Sequence, residues 1–186
     1  GVARQDRGSE GPRTDRRVTA MAASRLVPAY VALGSNLDDP RARVEQAFEA
    51  LDALPGTRGV LHSSLYRSPP FGPVEQPEFV NAVAGLLTSL APDALLAALK
   101  DLESRLGRAQ PVVRWGPRRI DLDLLVHGAT RMDTEALTLP HPGIAARAFV
   151  LVPLAEIAPD LEVPGQGRVR GLLARVDASG VERLAA

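Results

Sequence analysis

The run Arg114-Trp115-Gly116-Pro117-Arg118-Arg119-Ile120-Asp121-Leu122-Asp123-Leu124-Leu125-Val126 holds the residues best suited to chemistry. Its second half alternates apolar and acidic side chains. Strand side chains alternate faces with a period of two, so Ile120, Leu122 and Leu124 point one way and Asp121 and Asp123 the other. Two carboxylates on one face repel. A divalent cation beside them removes that repulsion, and hard oxygen ligands suit magnesium. Arg114, Arg118 and Arg119 precede them, interleaved with an indole, a glycine and a proline. Carboxylates that hold a metal and guanidiniums that hold phosphates together describe a site for a metal-bound polyphosphate. An Asp-x-Asp pair alone more often marks the wet face of a half-covered sheet. The basic run beside it, and a second cluster around His141, favour the chemical reading.

These residues need a frame. Val27 to Leu33 reads as a buried strand ending at Gly34-Ser35-Asn36, a turn better explained by ordinary turn chemistry than by anion binding. Asp39 as N-cap and Pro40 at the first helical position open a helix, whose apolar face is Val44, Ala47, Phe48 and Leu51. Val60 to Tyr66 is a second strand. It runs into Arg67-Ser68-Pro69-Pro70-Phe71-Gly72-Pro73, a loop too rich in proline for a ladder. Phe79 to Thr88 is a third strand. Pro92 opens a second helix with the stripe Leu95, Leu99, Leu102 and Leu106, capped by Gly107. Residues 120 to 126 form the acidic strand. A short strand at Leu137 to Leu139, a short helix carrying Arg147 and Phe149, and a last helix near 170 to 176 follow. Strand, helix, strand, strand, helix, strand is the order of an α+β, ferredoxin-like βαββαβ core. It predicts an antiparallel sheet with both helices on one face and the other face open to a ligand or a further layer.

The bulk properties exclude several classes. The chain has 186 residues, no cysteine and a formal net charge of zero. Disulfides and thiolate metal sites are excluded, and neither a nucleic-acid surface nor a membrane patch is supported. No apolar run reaches transmembrane length. A cytoplasmic monomer is the default expectation. Residues 1 to 24 are poor in large apolar side chains and read as a disordered tail, with Met21 a candidate natural start. Residues 25 to 186 are expected to form one domain. Lys100 is the only lysine. No Gly-x-x-x-x-Gly-Lys-[Ser/Thr] loop is present, so P-loop nucleotide binding is out.

Further spacings coincide with the central run. They are Tyr66-Arg67-Ser68-Pro69-Pro70-Phe71-Gly72-Pro73, Gln76-Pro77-Glu78-Phe79-Val80-Asn81-Ala82, Pro140-His141-Pro142, Arg147-x-Phe149 and Pro153-Leu154-Ala155-Glu156-Ile157. With Gly34-Ser35-Asn36, they closely resemble the 6-hydroxymethyl-7,8-dihydropterin pyrophosphokinases of folate biosynthesis, over roughly residues 28 to 161. Arg114 to Asp123 is the most specific part and Gly-Ser-Asn the weakest. The resemblance implies transfer of the β,γ-pyrophosphoryl group of ATP to a reduced pterin's hydroxymethyl group, releasing AMP.

The same resemblance implies roles for individual residues. Asp121 and Asp123 would bind two magnesium ions and, with Arg108 and Arg118, make up the catalytic set. His141, Arg108, Arg118 and Arg147 would hold the triphosphate, and Glu103, Arg114, Trp115, Leu124 and Thr138 would complete the ATP side. Phe79 and Phe149 would sandwich the pterin, with Phe71, Pro69 and Trp115 beside it and Ser68 and Asn81 on its polar edge. Phenylalanines are most often core, but three of only four in the chain fall on these positions. Some family members carry Tyr where Phe79 stands, Thr at Ser68, Leu at Phe71 and Tyr at Pro142. Gln110 stands where some carry arginine, which puts the strength of triphosphate binding in question. His62 and His127 match nothing and read as structural. Residues 108 to 117 are expected to act as a lid.

Two rival readings use fewer of these residues. A nucleotidyltransferase also has Gly-Ser and paired aspartates, but within one short helix of each other; here Ser35 and Asp121 are far apart in the chain. A ferredoxin-like regulatory module would need neither the Arg-Trp-Gly-Pro-Arg run nor the acidic pair.

Overall fold

The computed structural model describes residues 25–107 and 114–186. The expected tail at 1 to 24 and the lid residues 108 to 113, including Arg108 and Gln110, lie outside them. The described chain runs β1 (Val27–Ser35), α1 (Pro40–Asp52), β2 (Thr57–His62), β3 (Tyr66–Ser68), β4 (Phe79–Thr88), α2 (Pro92–Arg105) and β5 (Asp121–His127). After these come β6 (Met132–Asp133), β7 (Thr138–Leu139), a 3-10 turn at Ile144–Ala146, and α3 (Ala148–Ile157). The chain closes with β8 (Glu162–Val163), β9 (Gly167–Arg168), α4 (Val169–Leu173) and β10 (Glu182–Arg183).

The helix signals act as read. Asp39 caps α1 by accepting from the Ala42 N–H at 3.3 Å, and Pro40 stands at the start, where its missing N–H costs nothing. Val44, Ala47, Phe48 and Leu51 are the buried face of α1, and Leu95, Leu99 and Leu102 that of α2. Gly107 follows α2 with a φ of 88°, a left-handed conformation that a side chain would strain.

The main sheet is antiparallel, in the order β10-β3-β4-β1-β5, with β2 also paired to β4. Chain order and strand order together give the ferredoxin-like arrangement. Helices α1 and α2 pack on one face through a core of Leu33, Leu51, Leu86, Leu99, Ile120, Leu122 and Leu124. Fully burying one such leucine contributes about 1.5–3 kcal/mol. The opposite face is partly covered by a further layer, where Leu151 and Leu154 of α3 and Val169 of α4 meet Ala32, Val83 and Leu125. The part left uncovered is where the acidic side of β5 opens.

Three expectations change in detail. The strand expected at Val60 to Tyr66 starts at Thr57 and breaks after His62. Ser63 causes the break: its hydroxyl accepts the Val83 N–H at 2.8 Å, in place of a backbone carbonyl. The ladder resumes only at Tyr66, so β3 is three residues long. Arg147 stands just before α3 as its N-cap instead of within it. The last helix is Val169–Leu173, starting one residue earlier and ending three residues sooner than expected, with Val169 buried in the second core cluster.

Candidate active site

On β5 the alternation holds as the sequence dictates. Ile120 and Leu122 are wholly buried and Leu124 nearly so, all on the helix side. Asp121 and Asp123 face a cavity of about 310 Å³ on the opposite side. Arg118, Lys100, His141 and Arg147 border the same cavity. So do Ser68, Pro69, Phe71, Phe79, Asn81, Trp115 and Phe149. Thus the acidic pair, its cations and every residue expected on the pterin side converge on one space.

Burial takes Asp123 out of ordinary behaviour. Desolvation first, and the neighbouring Asp121 charge second, push the Asp123 carboxyl up to about 6. Lys100 and Arg147 pull the other way without cancelling the shift. Arg118 lies against Asp121, donating from Nη1 to Oδ2 at 2.8 Å. His141 is depressed to about 4, chiefly by burial and then by Arg147. Its Nδ1 accepts the Gly143 N–H at 3.0 Å. That bond assigns the ring proton to Nε2, so His141 presents a neutral N–H donor.

Asn36 supports this side of the cavity. Its Nδ2 donates to Gln76 Oε1 and to the Pro77 carbonyl, each at 3.0 Å, while its Oδ1 accepts the Arg118 N–H at 2.9 Å. Gln76 Nε2 in turn donates to the Trp115 carbonyl at 2.6 Å. The knot ties the end of β1 to both the Gln76 loop and the arginine run. Gly34 pairs with Asp121 across the sheet and lines the cavity. A Cβ there would meet Asn81 Oδ1 at 3.4 Å. Ser35 is fully buried, which removes its hydroxyl from any ligand. Gly34 and Ser35 are the last two residues of β1, paired with Asn81 and Val80, so the stretch expected to be a turn after Leu33 instead extends the strand.

The aromatic half is built from β3, β4, α3 and the proline loop. Phe79 and Asn81, two apart on β4, share a face, and Phe79 pairs with Ser68. Asn81 Nδ2 donates to Ser68 Oγ at 2.6 Å, and both residues are buried. Phe71 lies 5.8 Å from the Phe149 ring and 5.6 Å from the Trp115 indole, tilted to both. Trp115 takes a φ of 62°, and its indole lies against Gly72, where a Cβ would approach it to 3.2 Å. The Arg147 guanidinium stands 5.5 Å above the Phe71 ring, linking the two halves.

Four of the expected ATP-side residues do not border this cavity. Leu124 is in the helix-side core. Glu103 is buried and accepts the Leu122 N–H at 2.8 Å, supporting the outer side of β5. Thr138 donates to Asp133 at 3.0 Å beside a separate cleft. Arg114 is exposed, stacked 5.3 Å from the Trp115 ring. Conversely, Lys100, Gln76 and Asn36 were assigned no role in the sequence. Gln76 and Asn36 stood in the quoted motifs, and Lys100 was conspicuous as the single lysine. His62 and His127 are structural: His62 stacks on Phe48 at 4.1 Å, and His127 Nε2 is 2.9 Å from the Leu90 carbonyl.

Comparison with known proteins gives a consistent result. A family model described as 7,8-dihydro-6-hydroxymethylpterin-pyrophosphokinase (HPPK) matches residues 30–159. The chain is 50% identical over 155 residues to a Pseudomonas aeruginosa 2-amino-4-hydroxy-6-hydroxymethyldihydropteridine pyrophosphokinase, covering 83% of this chain and 95% of that one. It is 47% identical over 159 residues to a protein of the same name from Methylorubrum extorquens, covering 86% and 99%. Among solved structures, the wild-type Plasmodium falciparum HPPK-DHPS with pterin and p-hydroxybenzoate superposes with a TM-score of 0.66 at 14% identity. That match covers 87% of this chain and 46% of the longer one, and it bears on the fold alone.

Proposed function

This chain belongs to the 7,8-dihydro-6-hydroxymethylpterin-pyrophosphokinase family, and from that premise we propose how its cavity carries out the transfer. The chain is an ATP-dependent pyrophosphokinase of folate biosynthesis that acts on 6-hydroxymethyl-7,8-dihydropterin. The pterin hydroxyl oxygen bonds to the β-phosphorus of ATP and loses its proton. The bond from that phosphorus to the α,β-bridging oxygen breaks, and AMP leaves with the oxygen. One observation carries the reading: an acidic pair flanked by cations and an aromatic slot with a polar edge share a single cavity.

The acidic pair fits magnesium. Asp121 and Asp123 offer only hard oxygen donors, and the crowding that pushes Asp123 up to about 6 is what a divalent ion relieves. Among the described residues no group of three or more His, Cys, Asp or Glu is placed to hold a metal. Magnesium commonly takes one or two carboxylates and completes its shell with substrate phosphates and water. We assign two ions to this pair; when bound, they would neutralise phosphate charge and stabilise the attacking and leaving oxygens.

The chain's own side chains position the substrates. Arg118 and Arg147 are always charged and suited to phosphate oxygens, and His141 adds a neutral N–H that demands no counter-charge. Phe79 and Phe149 face the two sides of the flat ring. The Ser68–Asn81 pair meets its edge, where a hydrogen-bonding site rejects analogues without matching groups. With both reactants held in line, catalysis rests on orientation and electrostatic stabilisation. The partners are small molecules, and zero net charge suits neither a nucleic acid nor a membrane surface. No helix among the described residues is long and apolar enough to cross a membrane. A cytoplasmic monomer is the assembly we assign.

The decisive assay mixes ATP, magnesium and the hydroxymethyl-dihydropterin. AMP should appear in step with pterin diphosphate and only when all three are present. ADP in place of AMP, or nucleotide turnover without the pterin, would overturn the reading.

A further inference from the structure

Glu156 lies outside the cavity, yet it joins two elements that form it. On α3, Phe149 and Glu156 are seven residues apart, two helical turns, and so share one stripe. On β3, Tyr66 and Ser68 are two residues apart and share a face. Phe149 and Ser68 both line the cavity. At the other end of the same two stripes, Glu156 Oε2 accepts from the Tyr66 hydroxyl at 2.6 Å. Its Oε1 accepts from the Ser64 hydroxyl at 2.7 Å. The Ser64 N–H donates to the same carboxylate at 3.0 and 3.1 Å. We infer that Glu156 is a positioning residue for the pterin half: it clasps α3 to β3 and thereby sets the gap between Phe149 and the Ser68–Asn81 edge.

Three features make this clasp more than another surface hydrogen bond. First, β3 has only three residues, follows a break in the ladder and has the two-residue β10 as its other neighbour, so the contact with α3 adds a hold from outside the sheet. Second, the carboxylate is held by three donor groups on two residues, Ser64 in the break before β3 and Tyr66 within it, a geometry that fixes both distance and tilt. Third, the pairing is tight enough to move both partners. Burial first, then Glu156, pushes the Tyr66 hydroxyl up to about 12. Burial alone would raise Glu156, but its bonds to Tyr66 and Ser64 hold it below the ordinary carboxylate range. Tyr66 as a whole is 7% exposed, so its hydroxyl meets Glu156 at the rim of a packed layer.

This inference rests on the assignment of the aromatic half to the pterin, and its test separates the two. Dissociation constants are measured for the pterin and for a non-hydrolysable ATP analogue with magnesium, alongside steady-state kinetics and melting temperature. Glu156→Ala should raise the pterin Kd and KM about fivefold while kcat and the nucleotide Kd stay within about twofold. Glu156→Gln keeps an acceptor oxygen in place and should restore most of the loss. Tyr66→Phe removes a single bond, keeps the ring, and should weaken pterin binding about twofold. In a Phe149→Ala background, Glu156→Ala should cost nothing further, because the wall it positions has been removed. A Glu156→Ala protein that melts earlier but binds pterin normally, or that weakens both ligands equally, overturns the clasp. Should Glu156→Ala not fold, unchanged pterin affinity in Tyr66→Phe overturns it instead. Wild-type pterin affinity in Phe149→Ala would instead remove the aromatic-half assignment and the clasp with it.

Discussion

In the charged half of the cavity, Asp121 and Asp123 stand on one face of β5, and burial leaves Asp123 reluctant to ionise. In the aromatic half, Asn81 donates one hydrogen bond to Ser68, and Phe71 lies 5.8 Å from the Phe149 ring and 5.6 Å from the Trp115 indole. The first half crowds negative charge into a buried place, a cost that the proposed cation and phosphates would relieve. The second is uncharged, and its rings and polar edge surround a space that would suit a flat ring. On the proposed function, the difference follows from the ligands. A triphosphate brings its own charge and metal, so its site must hold charge in advance. A pterin brings surface and a hydrogen-bonding edge, so its site must hold shape.

The largest effects should come from breaking the charged half. Asp121→Asn and Asp123→Asn each remove charge from a preorganised site, a loss on the order of 3 kcal/mol or more in transition-state stabilisation. Turnover should fall at least about a hundredfold. The metal-free fold should tolerate both changes: the Asp123 charge is disfavoured by burial, and Asp121→Asn keeps an amide oxygen that can still accept from Arg118. Near-normal AMP production by either variant would end the metal assignment.

Breaking the aromatic half should have a narrower consequence. Phe149→Ala removes burial and stacking worth roughly 3 kcal/mol at most, so pterin affinity should fall by up to about a hundredfold. Nucleotide affinity should hardly move. A fall in nucleotide affinity instead would place Phe149 on the adenine side or in the core, and the two halves would lose their distinct meanings.

Much of this was legible in the chain because local rules sufficed. The alternation from Ile120 to Val126 set the acidic face without any knowledge of neighbours, and Asp39-Pro40 set the start of α1. The Ser63 break was not legible, since it depends on a hydroxyl reaching Val83 twenty residues away. Glu103 and Leu124 matched the resemblance in position, but Glu103 accepts from the β5 backbone and the Leu124 side chain packs in the helix-side core, neither bordering the cavity. Ser35 and Asp121 looked remote in the chain, though Gly34 and Asp121 are opposite each other in the sheet. What then argues against a nucleotidyltransferase is the complete burial of Ser35, which only the fold reveals.

The cost of the charged half should be measurable as pH dependence. Asp123 ionises near 6 when folded, against an ordinary 3.8. The carboxyl is raised by folding, so its contribution to stability is present below about pH 4 and lost as pH rises through 6. His141, depressed to about 4, acts in the opposite direction and is common to both proteins being compared. The melting temperature of metal-free Asp123→Asn, minus that of wild type, should therefore grow between pH 4 and 7, to about 5 °C. Magnesium with a non-hydrolysable ATP analogue should reverse the difference by stabilising only wild type. A difference that stays constant with pH would mean that Asp123 is not strained by charge.

Lys100 offers the smallest and most selective test. It borders the charged half, 3.4 Å from a Glu103 carboxylate oxygen, and its charge eases the ionisation of Asp123. Its side chain is 52% exposed, so solvent screening limits its reach. Lys100→Gln should lose a cation from the triphosphate side and raise the Asp123 carboxyl further. Both effects weaken magnesium–nucleotide binding in the same direction. An exposed charge is worth about 1 kcal/mol or less, so the nucleotide Kd should rise about threefold to fivefold. The pterin Kd should not change, because no aromatic-half residue depends on Lys100. The acid limb of the nucleotide-binding profile should also move to higher pH. Raising the salt concentration should shrink the gap between variant and wild type, as screening replaces what the mutation removed. A Lys100→Gln protein with unaltered nucleotide affinity at low salt would confine the charged half to its aspartates, arginines and His141. A loss of pterin affinity would show that the two halves are coupled.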